Sequence, residues 1–125
     1  MREISGGEEP HAMTEWRLGT PGVGYNDMSS DLREAVKSAL VAEQRELCAY
    51  TGLRVGADSS HIEHLTPQRH CAAGEDIQFG NMVACYPAPG EFAHFGAIRK
   101  ADWPSPGEQH LFVSPRSPGC EKRFV

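Results

Sequence analysis

No CxxC pair occurs in this sequence, and its four cysteines, Cys48, Cys71, Cys85 and Cys120, stand apart. A complete zinc ribbon is therefore not written here. The opening MREISGGEEP is not a signal peptide, so a disulfide framework is not expected either. Long apolar runs are also missing: none approaches the roughly 18 residues that a membrane span needs. The expectation is a cytoplasmic chain with no membrane contact. Basic charge is scarce as well, with a formal net charge of −5. Phosphate contacts favour basic surfaces, so charge alone argues against strong nucleic-acid binding. The acidity is uneven. Residues 1–66 hold 6 Lys/Arg against 11 Asp/Glu, whereas residues 67–125 hold 6 of each.

Glycine and proline, by contrast, are plentiful, at 13 and 9 residues in a chain of 125. Such a chain suffices for one domain with a modest core, built from short elements and many loops. Residues 1–30 read as an irregular N-terminal arm, rich in breakers such as GTPGVG, with Trp16 and Tyr25 expected to pin it down. Residues 31–125 then form the body of a single domain. A helix is predicted from about Asp31 to Leu47, capped by Asp31 or Ser30, with Glu34 at the capping-box offset from Asp31. Leu32, Val36, Leu40 and Leu47 recur near helical spacing. LRV at 53–55 reads as a short strand, and HIEHLTP as a strand running into a loop ended by Pro67. Residues 68–79 read as loop. NMVACY at 81–86 fits the start of a helix or a short apolar piece. A turn and a helix through Lys100 should follow, with LFV at 111–113 as the one plausible late strand. Together these elements predict a small α+β domain.

One cluster carries chemistry. Glu63 and His64 are adjacent, Asn81 follows seventeen residues later, and His94 thirteen beyond that. Phosphodiester hydrolysis needs an activated water and a cation on the scissile phosphate, both held in alignment. A histidine suits the first task and a carboxylate ligand the second. Adjacent strand residues face opposite ways, so Glu63 and His64 share a site only if the strand ends or bends there. His61 reads as structural or supporting. HIEH also lacks the HExxH order and helical context of a zinc protease.

Five separated segments sharpen this reading. LVAEQRELCAYTGLRV, HIEHLTPQ and FGNMVACY, framed by MREISGGEEP and by PRSPGCEKRF at 115–124, resemble the HNH endonuclease family. The similarity is greatest to the branch that accompanies an ATPase in Septu-type antiphage systems and in some retron systems. The resemblance implies a ββα-metal (HNH) core and a nuclease that cuts DNA or RNA with a divalent ion, Mg²⁺ or Mn²⁺. By the same resemblance His64 is the general base and Glu63 a metal ligand. Asn81 is the middle Asn that holds the loop bearing the base, and His94 is the candidate further ligand. The implied partner is an ATPase of the ABC/SMC type.

The chain departs from the family where it commonly binds structural zinc. Thr51 and Phe95 stand in place of two cysteines, leaving Cys48 and Cys85, so structural zinc is not expected and apolar packing between these segments is. Two alternatives stay open: a catalytically degenerate HNH-fold subunit that binds the ATPase, or a small domain whose His, Glu and Asn are ordinary polar residues.

Overall fold

The computed structural model describes residues 1–124, without the side chain of residue 124. Its helices are α1 (His11–Gly19), α2 (Ser30–Glu43) and α3 (Gly96–Lys100), and its strands are β1 (His61–His64) and β2 (Met82–Cys85). Turns and short 3₁₀ segments make up the rest. The domain is α+β, as predicted, and among the described residues no helix is long and apolar enough to cross a membrane.

α2 forms where the spacing of its apolar residues places it. Leu32, Val36, Leu40 and Val41 are buried along one face. Its cap is Ser29, one residue before the expected pair: the Ser29 hydroxyl accepts from the Leu32 N–H at 3.1 Å. The helix ends at Glu43 and does not reach Leu47, because Arg45 and Glu46 adopt φ of 57° and 62°. Left-handed backbone at two ordinary residues costs about 1–2 kcal/mol each, so surrounding contacts must hold this turn. Gln44 supplies some of them. Its side-chain amide donates to the Leu47 and Ala84 carbonyls at 2.9 and 2.8 Å, and its carbonyl accepts from the Ala84 N–H at 2.8 Å. The side chain thus pairs with β2 as a neighbouring strand would.

β1 and β2 run antiparallel, with His61 opposite Cys85 and His64 opposite Met82. NMVACY is therefore a strand and not the start of a helix. All four β2 residues are buried. Met82 and Ala84 join one apolar cluster with α2 and Phe79, while Val83 and Cys85 join another with Ile4, Val55, Leu65 and Ala97. Burial on both faces removes the polar alternation that marks a half-exposed strand.

Three further expectations are corrected. The arm of residues 1–30 contains α1, whose Met13 is fully buried in the first cluster, with Trp16 and Tyr25 packed against it. LRV contributes a single bridge, Arg54 to Leu47, and LFV forms no strand. The two ends of the chain meet. The Ile4 N–H donates to the Pro115 carbonyl at 2.8 Å, and Arg116 reaches Glu43 at 2.6 Å and the Met82 carbonyl at 3.0 Å.

Candidate active site

His64 closes β1, and the chain turns away immediately after it. The Leu65 N–H still donates to the Asn81 carbonyl at 2.8 Å. Beyond that point the Asn81 side chain takes over from the ladder: its Oδ1 accepts from the Thr66 N–H at 2.8 Å. Its Nδ2 donates to the carbonyls of Thr66 and Glu75, each at 3.3 Å. A single buried amide therefore ties the loop between the strands, at Thr66 and again at Glu75, to the start of β2.

That loop delivers the group that orients His64. Nε2 of His64 lies 2.9 Å from the Asp76 carbonyl, which can only accept, so Nε2 carries the proton and Nδ1 is the basic nitrogen. The Tyr25 ring and the imidazole meet edge-to-face with centroids 4.6 Å apart, and the Arg33 guanidinium lies over the tyrosine ring at 4.7 Å. The Tyr25 N–H in turn donates to Asp76 Oδ2 at 2.9 Å. His64 is only 5 % exposed. Burial pushes its pKa below the ordinary value, a fall that the Asp76 carbonyl and the nearby carboxylates only partly oppose. The result is a neutral imidazole in a fixed tautomer.

Glu63 has a different set of neighbours, as strand alternation requires. Its Oε1 lies 3.7 Å from Lys100 Nζ and its Oε2 lies 3.6 Å from His61 Nε2. His61 donates from Nδ1 to the Pro87 carbonyl at 2.7 Å. Lys100 Nζ also donates to the His64 carbonyl at 3.1 Å, so α3 is fastened to β1 through that side chain. Burial lowers the Lys100 pKa, and the Glu63 carboxylate offsets part of the fall. Burial opposes charge on His61 too, but there the bonds to Glu63 and Pro87 win and the pKa rises.

The structure therefore brings His64 and Asn81 together through the loop, and Glu63 together with His61 and Lys100. His94 joins neither group. It is exposed and packs edge-on against Phe92 at 4.7 Å. Among the described residues, no three of His, Cys, Asp and Glu are placed to share a metal ion. Mg²⁺ and Mn²⁺ favour several oxygen ligands, and the one carboxylate here already faces an ammonium and an imidazole. As arranged, this donor set does not fit such an ion.

The positions that distinguish this chain from the zinc-binding pattern lie side by side. Cys48 and Cys85 are buried in the same apolar cluster, and Cys48 Sγ accepts from the Tyr86 N–H at 3.3 Å. The Thr51 methyl lies against Gly96, where an added Cβ would sit 2.9 Å from it, and Phe95 stacks on Tyr86 at 6.0 Å.

Sequence reasoning missed Lys100, Tyr25 and Asp76 as parts of these two clusters. Only Lys100 had a signal within reach, as one of the two basic residues, with Arg99, that end a short predicted helix. The Asp76 contribution is a backbone carbonyl, which no residue type announces. No protein-family model, curated protein or solved structure matches this chain.

Proposed function

We propose that this chain is an HNH-type nuclease in which His64 is the general base for phosphodiester hydrolysis. One observation carries the reading: His64 is held neutral and in one tautomer by the Asp76 carbonyl, on a loop braced by Asn81. A base that must accept a proton near neutral pH needs those two properties. In the proposed step, Nδ1 of His64 takes a proton from water and the water oxygen attacks phosphorus. The bond to the leaving sugar oxygen breaks, and that oxygen is reprotonated from solvent. The Tyr25 side chain must swing aside to admit the water and the phosphate. The order β1, β2, α3 and the long loop between the strands agree with the ββα arrangement that the resemblance implies. On the same resemblance the chain serves antiphage defence with an ABC/SMC-type ATPase, acting on DNA or RNA.

A second reading is a degenerate HNH-fold subunit that binds the ATPase without cutting. It is favoured by the burial of His64 beneath Tyr25 and by the pairing of Glu63 with Lys100. Cleavage of plasmid and of RNA by the wild-type chain and by His64→Ala, each with the ATPase, decides between them. The nuclease reading expects the substitution to lower the rate by about 10²–10⁴. A wild-type complex that binds its partner and cuts neither substrate establishes the second reading.

A further inference from the structure

The cation nearest Glu63 belongs to the chain itself. Lys100, the last residue of α3, places Nζ 3.7 Å from Glu63 Oε1 and donates to the His64 carbonyl at 3.1 Å. Its side chain is 7 % exposed, so the ammonium is not a solvated group passing over the surface. The other oxygen of Glu63 faces His61 Nε2 at 3.6 Å. Both carboxylate oxygens are therefore committed to nitrogen partners. A divalent ion binds carboxylate oxygen at roughly 2.0–2.6 Å. To use Glu63 it would sit close to the ammonium, and two positive centres that near repel strongly where little water screens them. Among the described residues the ion pairs of Glu63 are with Lys100 and His61. Asp102 also acts on the Lys100 ammonium, but it is exposed and pairs with Arg69 at 3.7 Å, so it offsets little of the repulsion.

From this we infer that Lys100 is the resident cation of the β1–α3 site. Its ammonium holds the place beside Glu63 that a divalent ion would need, and the chain's chemistry runs without one. Chemistry without a divalent ion rests on the nuclease reading; the place of Lys100 beside Glu63 does not. Lys100 is a positioning residue here: it neutralises Glu63 and anchors α3 to the backbone of His64.

The first measurement is Mn²⁺ binding to the full chain by electron paramagnetic resonance, which needs no activity. Wild type is expected to leave Mn²⁺ free up to about 1 mM, the weak end of protein divalent sites. Lys100→Met should gain at least about ten-fold in Mn²⁺ affinity, and Lys100→Met combined with Glu63→Gln should lose that gain. Wild-type binding below about 1 mM that Glu63→Gln removes would overturn the inference. So would a folded Lys100→Met variant that binds no better than wild type. If Lys100→Met does not fold, the wild-type titration decides alone.

The second measurement is cleavage by the partner-bound chain in EDTA. Persistence in EDTA, with loss in His64→Ala, supports chemistry without a divalent ion. Cleavage abolished by EDTA and restored by Mn²⁺ overturns it. If nothing is cleaved under any condition, the nuclease reading fails, and the resonance experiment still decides the role of Lys100.

Discussion

Asn81 satisfies both backbone groups of Thr66: Oδ1 accepts from the N–H at 2.8 Å, and Nδ2 donates to the carbonyl at 3.3 Å. The relationship explains why an amide is needed at this position. A carboxylate could accept but not donate, and an apolar side chain could do neither. Asn81→Ala should therefore leave the Thr66 N–H short of a partner, at about 1–3 kcal/mol, while the Thr66 and Glu75 carbonyls still accept from the Cys71 thiol at 3.3 Å and the Gln78 N–H at 3.2 Å. Asn81→Asp should retain the bond to the Thr66 N–H and lose the others. Urea midpoints of the three proteins check this. Equal stability of wild type and Asn81→Ala would show that water replaces the bracing at no cost.

His61 and His64, three residues apart, should titrate in opposite senses. Burial lowers the pKa of His64, so between its folded value and the unfolded value of about 6.5 the unfolded chain binds more protons. Stability therefore falls as the pH drops through that window. For His61 the folded value is raised by Glu63 and Pro87 against the effect of burial, so its contribution is full below about pH 6.5 and is lost as the pH rises through the folded value. Imidazole resonances followed by NMR should show His61 protonated at a pH where His64 is neutral. Reversal of that order would remove the physical basis for His64 as a base.

Several features were legible in the sequence because one local signal set them. The helix that became α2 shows its apolar spacing, and HIEH its strand ended by a nearby proline. β2 was less legible, since Met82, Val83, Ala84 and Cys85 are buried on both faces and carry no period-two pattern. α1 was hidden by its flanks: Pro10 gives no side-chain cap, and Met13 is the one residue it buries. The site divided in the same way. His64 and Asn81 are linked through the loop between them, His64 by the Asp76 carbonyl and Asn81 by Thr66 and Glu75. Of the partners of Glu63, His61 lies two residues away on the same strand, whereas Lys100 comes from α3, and only packing brings it to β1.

Glu43 should prove to be a structural keystone although it reads as one more surface acid on α2. Its side chain is 2 % exposed, and it binds Arg116 at 2.6 Å while also accepting from the Gly7 N–H. It thus joins both ends of the chain to the end of α2. Removing one partner of a buried pair leaves an uncompensated charge and costs about 3–5 kcal/mol. Glu43→Ala is expected to lower thermal stability sharply and to expose the segments around Ile4 and Pro115 to protease. The exposed pair Glu46–Arg54 is the internal control: Glu46→Ala should change stability by no more than about 1 kcal/mol.

Dependence on a partner follows from where the charges lie. On α2 the acids Asp31 and Glu34 are exposed, whereas Lys37 is buried, with its ammonium 3.1 Å from Glu34 Oε1 and donating to the Ser60 carbonyl at 3.4 Å. Arg33 is turned onto the Tyr25 ring. The solvent face of this helix is therefore acidic, which repels phosphate and suits a basic protein surface. With a net charge of −5 the whole chain also lacks the counterion-release term that drives nonspecific nucleic-acid binding. The isolated chain should bind DNA and RNA weakly, and activity at low protein concentration should require the ATPase. Gel-shift titration near 150 mM salt, where charges are screened within about 8 Å, checks the first half. Submicromolar binding by the chain alone would sink it. The second half is checked with Asp31→Lys combined with Glu34→Lys. Because Glu34→Lys also removes the 3.1 Å pair with the buried Lys37 ammonium, folding is checked by circular dichroism. The folded double variant, or Asp31→Lys alone if it does not fold, should weaken partner binding at least about ten-fold, the equivalent of 1.4 kcal/mol. Unchanged partner affinity would move the interface off α2.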